Sequence, residues 1–192
     1  MNRLGPLRKR LLIAASATLV AISVPVPAHA SAQTSGEEKC DASDLSQSAV
    51  LTITGQDANK NFKYTMKCYD TFGDSLHSIN ASISANVTLA NLSVALSPSV
   101  ALTDGIIGVH YDANNGTGSA LTVNGSTCNG GGLNVPVSWN DRISSTYNGC
   151  GTITHYENTN YGGSSLTTFG SGSVTSFSGQ YMDNRTSAIK YF

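Results

Sequence analysis

The stretch Tyr111–Leu121 (YDANNGTGSAL) recurs without gaps as Tyr156–Leu166 (YENTNYGGSSL), 45 residues further along the chain. Tyrosine, asparagine, glycine, serine and leucine stand at equivalent places in the two copies. A second shared element follows each copy, first as Asn140–Ser145 (NDRISS) and then as Asp183–Ala188 (DNRTSA). Two shared elements in the same order indicate an internal duplication in the last part of the chain.

The two repeats span residues 105–147 and 151–192, and each contains short β-prone stretches separated by Gly and Asn turns. These stretches are Gly105–Tyr111, Ile143–Tyr147, Thr152–Tyr156, Ser165–Phe169 and Ser187–Phe192. About four strands per repeat, present twice, predict an all-β fold of two Greek-key motifs packed as a sandwich. The tyrosine at the start of each copy is expected to fold its ring over a tight hairpin. We expect Gly118 and Gly163, seven residues further on, to adopt positive φ in these hairpins.

The N-terminus has the pattern of a secretory signal. A basic start precedes the apolar run Leu11–Val24 and a small-residue site at Ala28–Ala30, which predicts a signal peptide over residues 1–30. The apolar run is shorter than the roughly 20 residues that a membrane-spanning helix needs. We therefore expect a secreted, extracellular protein.

Charge excludes two classes of partner. Without residues 1–30 the chain keeps 7 basic and 12 acidic residues, a net charge of about −5. Such a chain lacks the basic surface that binds nucleic acid or an anionic membrane. We expect neither a nucleic-acid nor a membrane partner.

Four cysteines remain after the signal peptide, an even number for an oxidising compartment. Two disulfides are therefore favoured over thiol chemistry or a zinc site. Of the three connectivities, Cys40–Cys68 with Cys128–Cys150 is preferred because each pair lies within one compositional segment.

Residues 31–104 form an N-terminal segment that precedes the repeats. Val50–Thr54 and Phe62–Tyr69 have strand character. A short helix capped by Asp70 or Thr71 is predicted to follow, with an apolar stripe of Phe72, Leu76 and Ile79. Residues 80–103 fit either weak strands or a connector, and 31–104 fits either a prosegment or a small subdomain.

The doubled pattern Tyr-x6-Gly followed by Asx-Asx-x-x-(Ser/Thr)-Ser resembles the βγ-crystallin domain, and specifically its secreted actinobacterial members. The resemblance covers residues 105–192. Two positions depart from the family pattern. Gly116 stands where a second aromatic residue is usual, as Tyr161 is in the other repeat, and Ala188 replaces the last serine of the second Asx-Asx motif.

The resemblance implies two calcium sites, because in that family the loop of one repeat pairs with the hairpin of the other. Calcium prefers six to eight oxygen ligands, more than one loop can offer. The implied site A comprises Asp141, the carbonyl of Arg142, the hydroxyl of Ser144 and the carbonyl of Glu157. The implied site B comprises Asn184, the carbonyl of Arg185, the hydroxyl of Ser187 and the carbonyl of Asp112. The alternative is that both loops are Asx-turns whose side chains satisfy backbone groups.

Charge distinguishes the two implied sites. Asp141 is an anionic ligand and Asn184 is a neutral one, so site A is expected to bind calcium more tightly. Asn140 and Asp183, the first residues of the two motifs, are expected to brace the loops.

Motifs for catalysis are missing from the sequence. There is no His-Glu-x-x-His, no Gly-x-Ser-x-Gly and no unpaired cysteine, and His110 and His155 each precede a motif tyrosine, which favours strand positions. Trp139 is interpreted as a core residue. The leading hypothesis is a non-enzymatic, secreted, calcium-binding structural or interaction protein.

The alternative is a peptidase inhibitor, because the chain also resembles an actinobacterial metallopeptidase-inhibitor family on the same fold. Its partner would be an extracellular peptidase. The contact would be an exposed loop at Asn129–Leu133, with Leu133 as the apolar anchor. The glycine run in this loop argues against the alternative, since a tight inhibitor needs a preorganised loop.

Overall fold

The computed structural model describes residue 40, residues 44–80, residue 83 and residues 105–192, which belong to one compact unit. The predicted signal peptide and nearly all of residues 80–103 lie outside the described residues. No helix in the described part of the chain is long and apolar enough to cross a membrane.

The N-terminal segment has the two predicted strands and the predicted helix, and the strands pair as an antiparallel hairpin. Its elements are β1 (Ser48–Gln56), β2 (Phe62–Tyr69) and α1 (Phe72–Ile79). Thr71 caps the helix because its hydroxyl accepts the backbone N–H of Asp74 at 3.1 Å. The predicted apolar stripe also holds, since Leu76 is fully buried and Phe72 and Ile79 pack beside it.

Each repeat contributes four strands, as the sequence predicts. The first repeat contains β3 (Ile106–Tyr111), β4 (Ala120–Asn124), β5 (Gly131–Asn134) and β6 (Ser145–Asn148). The second contains β7 (Thr152–Asn158), β8 (Gly162–Phe169), β9 (Ser173–Ser176) and β10 (Ala188–Tyr191). Strands β4, β5 and β9 are the ones that the sequence patterns did not locate.

The repeats exchange their third strands. The larger sheet has the order β2-β1-β4-β3-β6-β9 and the smaller one the order β5-β10-β7-β8. Strand β5 of the first repeat therefore completes the sheet of the second repeat, and β9 does the reverse. The predicted all-β sandwich of two Greek-key motifs is confirmed.

The N-terminal segment extends the larger sheet. Strand β1 pairs in parallel with β4, from Ala49 opposite Leu121 to Thr52 opposite Asn124. At the tip of the β1–β2 hairpin, the carbonyl of Lys60 accepts the N–H of Gly132 in the smaller sheet at 3.1 Å. The hairpin therefore contacts both sheets along one side of the sandwich.

Two apolar clusters follow from strand alternation. Leu121 and Val123 of β4 lie in the core between the sheets, whereas Ala120 lies in a second cluster beneath α1. The second cluster also holds Tyr111 of the first motif. The helix thus covers apolar side chains on the outer face of the larger sheet.

Both predicted disulfides are present. Cys40 pairs with Cys68 at a Cα separation of 5.3 Å, and Cys128 pairs with Cys150 at 5.8 Å. Trp139 is buried in the core, as interpreted from the sequence.

The prediction of an exposed loop at residues 129–133 is wrong. Gly131 and Gly132 belong to β5, and Leu133 is fully buried in the core between the sheets. A Cβ on Gly131 would collide with the ring of Phe62, and one on Gly132 would lie 2.5 Å from the carbonyl oxygen of Ile189. The glycine run therefore serves close packing of a strand.

Candidate metal site

The two Asx-Asx loops have the same backbone conformation. Asp141 has φ 57° and Asn184 has φ 55°, in the left-handed region that Asn and Asp adopt more readily than most residues. The loops also bond to each other reciprocally. The N–H of Asp141 donates to the carbonyl of Thr186 at 3.1 Å, and that of Asn184 donates to the carbonyl of Ile143 at 3.0 Å.

This reciprocal pairing brings the serine hydroxyl of each loop to the Asx side chain of the other. Ser144 Oγ donates to Asn184 Oδ1 at 2.9 Å, and Ser187 Oγ donates to Asp141 Oδ1 at 3.3 Å. The implied ligand groups placed Ser144 with Asp141 and Ser187 with Asn184, whereas the hydrogen bonds pair each serine with the Asx side chain of the other loop. The physical reason is that the loops run against each other, which sets the fifth position of one beside the second position of the other.

The hairpins that begin each repeat lie next to these pairs. The N–H of Ser187 donates to the carbonyl of Tyr156 at 2.9 Å, which places Glu157 beside the Asp141–Ser187 pair. We call Asp141, Ser187 and Glu157 the first oxygen group.

The other hairpin has the same arrangement. The N–H of Ser144 donates to the carbonyl of Tyr111 at 2.8 Å, which places Asp112 beside the Asn184–Ser144 pair. We call Asn184, Ser144 and Asp112 the second oxygen group. Each group keeps the hairpin residue that the resemblance implies for it.

The hairpin carboxylates also hold the turns that follow them. Asp112 Oδ1 accepts the N–H of Ser119 at 2.8 Å, and Glu157 Oε2 accepts that of Ser164 at 3.3 Å. The glycine just before each serine has positive φ, 82° at Gly118 and 75° in the second repeat, as the sequence predicts. The equivalent turns therefore share one backbone design.

The side chain of each loop arginine contacts both an aromatic ring and a hairpin carboxylate, an arrangement that we call an arginine clamp. The sequence reasoning missed it. Arg142 lies 4.3 Å from the ring centroid of Trp139, and its Nη2 contacts Asp112 Oδ2 at 3.0 Å. Arg185 lies 4.5 Å from the ring centroid of Tyr181, and its Nη1 is 3.6 Å from Glu157 Oε1. The available signal was an arginine at the same place in both motifs and an acid directly after both tyrosines.

Glu157 has several partners besides Arg185. The Tyr181 hydroxyl donates to Glu157 Oε1. This hydrogen bond, then the N–H of Ser164, and finally the charge of Arg185 lower the pKa of Glu157 below its ordinary value. The carboxylate therefore remains ionised at neutral pH.

The first residues of the two motifs differ in their surroundings. Asn140 Nδ2 donates to Asp141 Oδ2 at 2.8 Å and so braces the carboxylate, as expected. In the second motif, Asp183 Oδ1 is buried without a hydrogen-bond partner in the described part of the chain. An unpaired carboxylate oxygen beside an oxygen-lined loop is compatible with a nearby cation.

The N-terminal segment contacts the first loop. The carbonyl of Leu45 accepts Arg142 Nη2 at 2.8 Å and the hydroxyl of Ser119 at 3.2 Å. The carbonyl of Ser46 accepts the same hydroxyl at 2.8 Å. The arginine clamp of the first loop is therefore held partly by residues outside the repeats.

The donors at both groups are oxygens. Among the described residues there is no cluster of three or more His, Cys, Asp or Glu side chains. A metal at these loops would therefore depend on hydroxyl, amide, carbonyl and water oxygens together with one or two carboxylates. That donor set suits calcium and is a poor one for zinc or copper.

No protein-family model and no curated protein matches the chain. Solved structures do match it. A βγ-crystallin domain from Clostridium beijerinckii is 19% identical, with 45% of this chain and 97% of that chain covered and a TM-score of 0.36. One from Flavobacterium johnsoniae is 22% identical, with coverages of 45% and 93% and a TM-score of 0.31.

A third match comes from work on the evolution of the eye lens βγ-crystallin domain fold. It is 18% identical, with 46% of this chain and 87% of that chain covered and a TM-score of 0.36. These likenesses concern the fold alone. Independently of these matches, residues 105–192 form the two-repeat Greek-key sandwich that the resemblance to the βγ-crystallin domain implies.

Proposed function

We propose that this protein is a secreted, non-enzymatic calcium-binding module whose metal stabilises an extracellular domain. The observation that supports the proposal is the exchange of serine hydroxyls between the two loops. Because each oxygen group takes ligands from both repeats, an ion at either group would join the two Greek-key motifs.

The separations of the oxygens suit calcium. Calcium–oxygen distances of about 2.3–2.6 Å place neighbouring ligands roughly 3 Å apart. The serine hydroxyl oxygen and the Asx side-chain oxygen lie 2.9 Å apart in one pair and 3.3 Å apart in the other. Turning each serine proton away from its partner would free both oxygens for the ion without a change of side-chain position. The carbonyls of Arg142, Arg185, Glu157 and Asp112, with waters, would complete the two coordination shells.

The two groups carry different charges. The first contains the carboxylate of Asp141, and its Glu157 carboxylate lies 3.6 Å from an arginine that is largely exposed. The second contains the neutral amide of Asn184, and its Asp112 carboxylate pairs at 3.0 Å with the more buried Arg142. The first oxygen group is therefore proposed as the tighter calcium site.

Secretion is proposed from one sequence feature together with the disulfides. The N-terminal 30 residues have the signal-peptide pattern, and both cysteine pairs are at bonding distance. Structural disulfides persist mainly in oxidising compartments outside the cytosol. Peptidase inhibition remains the alternative proposal, without the contact first assigned to it, because Leu133 lies in the core.

Calcium is expected to raise the melting temperature. An ion that binds only the native state stabilises it by RT ln(1 + [L]/Kd), about 2.7 kcal/mol at a hundred times Kd. For a chain of this size that corresponds to roughly 5–10 °C. We expect a Kd of about 10⁻⁴ to 10⁻⁶ M. Thermal melts in chelator, in millimolar magnesium and in millimolar calcium measure the effect, and coincident curves would leave the Asx-turn alternative.

Asp141→Ala is expected to weaken calcium binding more than Asn184→Ala, because it removes an anionic ligand. The two variants are matched, since each places alanine at nearly the same positive φ. Isothermal titration calorimetry gives the two affinities. Asp141→Asn and Asn184→Asp then exchange the charge while keeping residues that tolerate this backbone. Equal losses in the alanine variants, or a larger loss for Asn184→Ala, would contradict the assignment.

A further inference from the structure

Strand β8 is an open and uncharged edge. Among the described strands it pairs only with β7 and closes one side of the smaller sheet. Residues 158–182, which include β8 and β9, contain no Asp, Glu, Lys, Arg or His. Proteins usually protect exposed edge strands with charged side chains, proline or a covering element. Residues 158–182 contain neither charged side chains nor proline.

The other sheet edges differ from β8. Strand β2, at the edge of the larger sheet, carries Lys63 and Lys67. Strand β5 is met by the β1–β2 hairpin, where Asn61 bridges to Gly132. Strand β9 is uncharged but has only 4 residues, against 8 in β8. Strand β8 is thus the longest uncharged edge of the described sheets.

The hydrogen bonds of β7 show which backbone groups of β8 point away from the sheet. Thr152 exchanges both of its backbone bonds with Phe192, at 3.0 Å and 2.8 Å, on the β10 side. In an antiparallel sheet the bonding direction alternates along the strand, so Ile153 bonds toward β8, opposite Thr168. The N–H and C=O groups of Ser165, Thr167 and Phe169 therefore point outward. The carbonyl of Phe169 also accepts the hydroxyl of Ser173 at 3.1 Å and keeps its second lone pair for a partner.

The side chains at this edge leave room for another strand. Leu166 packs against the core and Thr168 is buried, so these two residues fix β8 in place. The outward-bonding residues carry their side chains on the outer face, where Phe169 is 70% exposed. Thr152 of β7 lies between Phe169 and Phe192 in one cross-strand row, and Phe192 is 49% exposed.

We propose that β8 pairs antiparallel with β8 of a second copy of this chain, about a two-fold axis at Thr167. In that register Ser165 faces Phe169 of the partner subunit and the two Thr167 residues face each other. All three outward-bonding positions then find outward-bonding partners, which gives about six hydrogen bonds and a continuous eight-stranded sheet.

Charge favours a second copy as the occupant. A two-fold interface brings identical residues together, so any charge near the axis meets itself. The same pairing through β2 would place lysines against lysines. Strand β8 has the uncharged residues Ser165, Thr167 and Phe169 at its outward-bonding positions and carries no such penalty, although the chain as a whole is acidic. The interface is small, so a weak dimer is expected, with Kd on the order of 10⁻⁵ M.

Sedimentation equilibrium of the purified protein over a concentration series tests the pairing. Thr167→Lys puts two ammonium groups opposite each other across the axis and is expected to weaken the dimer by about tenfold or more. Thr65→Lys is the matched control, since it adds the same charge to the exposed edge strand β2, and it should leave the dimer unchanged. A protein that is monomeric up to about 1 mM, or an equal effect of both variants, overturns the proposal.

Hydrogen exchange locates the contact in the same samples. The amides of Ser165, Thr167 and Phe169 are expected to exchange fast in dilute protein and to become protected as the concentration rises. The amides of Leu166 and Thr168, bonded to β7, should be protected at every concentration. A dimer that leaves the three outward amides unprotected uses another surface and contradicts the assignment.

Discussion

Phe62→Ala is expected to cost about 3–5 kcal/mol of the free energy of unfolding, the usual range for a large aromatic removed from a core. Phe62 belongs to the N-terminal segment, yet it is 1% exposed and its ring centroid lies 5.8 Å from that of Tyr191 in β10. It also fills the space left by the missing side chain of Gly131 in β5. The residue thus links β2 to the smaller sheet.

Urea unfolding at pH 7 measures this loss. Phe169→Ala, measured in protein diluted well below the expected dimer Kd, is the matched control, because it makes the same change at a side chain that is mostly exposed in the single chain. It should cost well under 1 kcal/mol. If Phe62→Ala proves as mild as the control, the N-terminal segment is peripheral to the fold. The large loss would instead mean that residues 44–80 belong to the folded module and that the repeats need them.

The fold could be predicted because the repeated motifs impose local constraints. Positive φ at Gly118 and Gly163, the helix cap at Thr71 and the alternation in Phe62–Tyr69 each depend on neighbours within a few residues. The duplication then predicted how the two motifs pack together, since two equivalent four-stranded motifs have few ways to bury their apolar faces. The sandwich followed from these features together with the resemblance.

The parts that could not be predicted depend on contacts between distant segments. Each serine hydroxyl, of Ser144 and of Ser187, bonds to the Asx side chain of the other loop. This pairing follows from backbone hydrogen bonds between the two loops, which no single motif encodes. The glycine run favours an exposed loop when the sequence is considered alone, because the reason for it, the ring of Phe62, lies on another strand. The same holds for β1, whose pairing with β4 in parallel gives no local signal.

Acid is expected to destabilise the protein steeply below pH 6.5, because two histidines are buried between the sheets. His110 and His155 precede the motif tyrosines, so strand alternation turns them inward, and their ring centroids lie 5.2 Å apart. His110 hydrogen-bonds to the hydroxyls of Tyr191 and Thr146, whereas neither ring nitrogen of His155 has a partner among the described residues. Phe177 lies against His155 at 4.8 Å.

The sign of the effect follows from the pKa shifts. Burial lowers the pKa of His155 from 6.5 to about 3, and burial and then the charge of His155 lower that of His110 well below its usual value. Between pH 6.5 and the folded-state pKa, the unfolded chain binds protons that the native protein cannot bind, so stability falls as the pH falls. For His155 alone the loss is about 2.7 kcal/mol at pH 4.5. Hydrogen bonds lower the pKa values of Asp57 and Glu157, so these groups act only at lower pH.

Urea unfolding from pH 7 to pH 4.5 measures the slope, about 1.4 kcal/mol per pH unit for each proton taken up on unfolding. His155→Leu removes the two unpaired ring nitrogens and is expected to reduce the slope by about one proton. Ile153→Val, in the same strand, is the matched core control, since it lowers stability by about 0.5–1.5 kcal/mol without changing the slope. An unchanged slope in His155→Leu would mean that the native protein protonates this histidine despite its burial, and the buried pair would then not be the source of acid sensitivity.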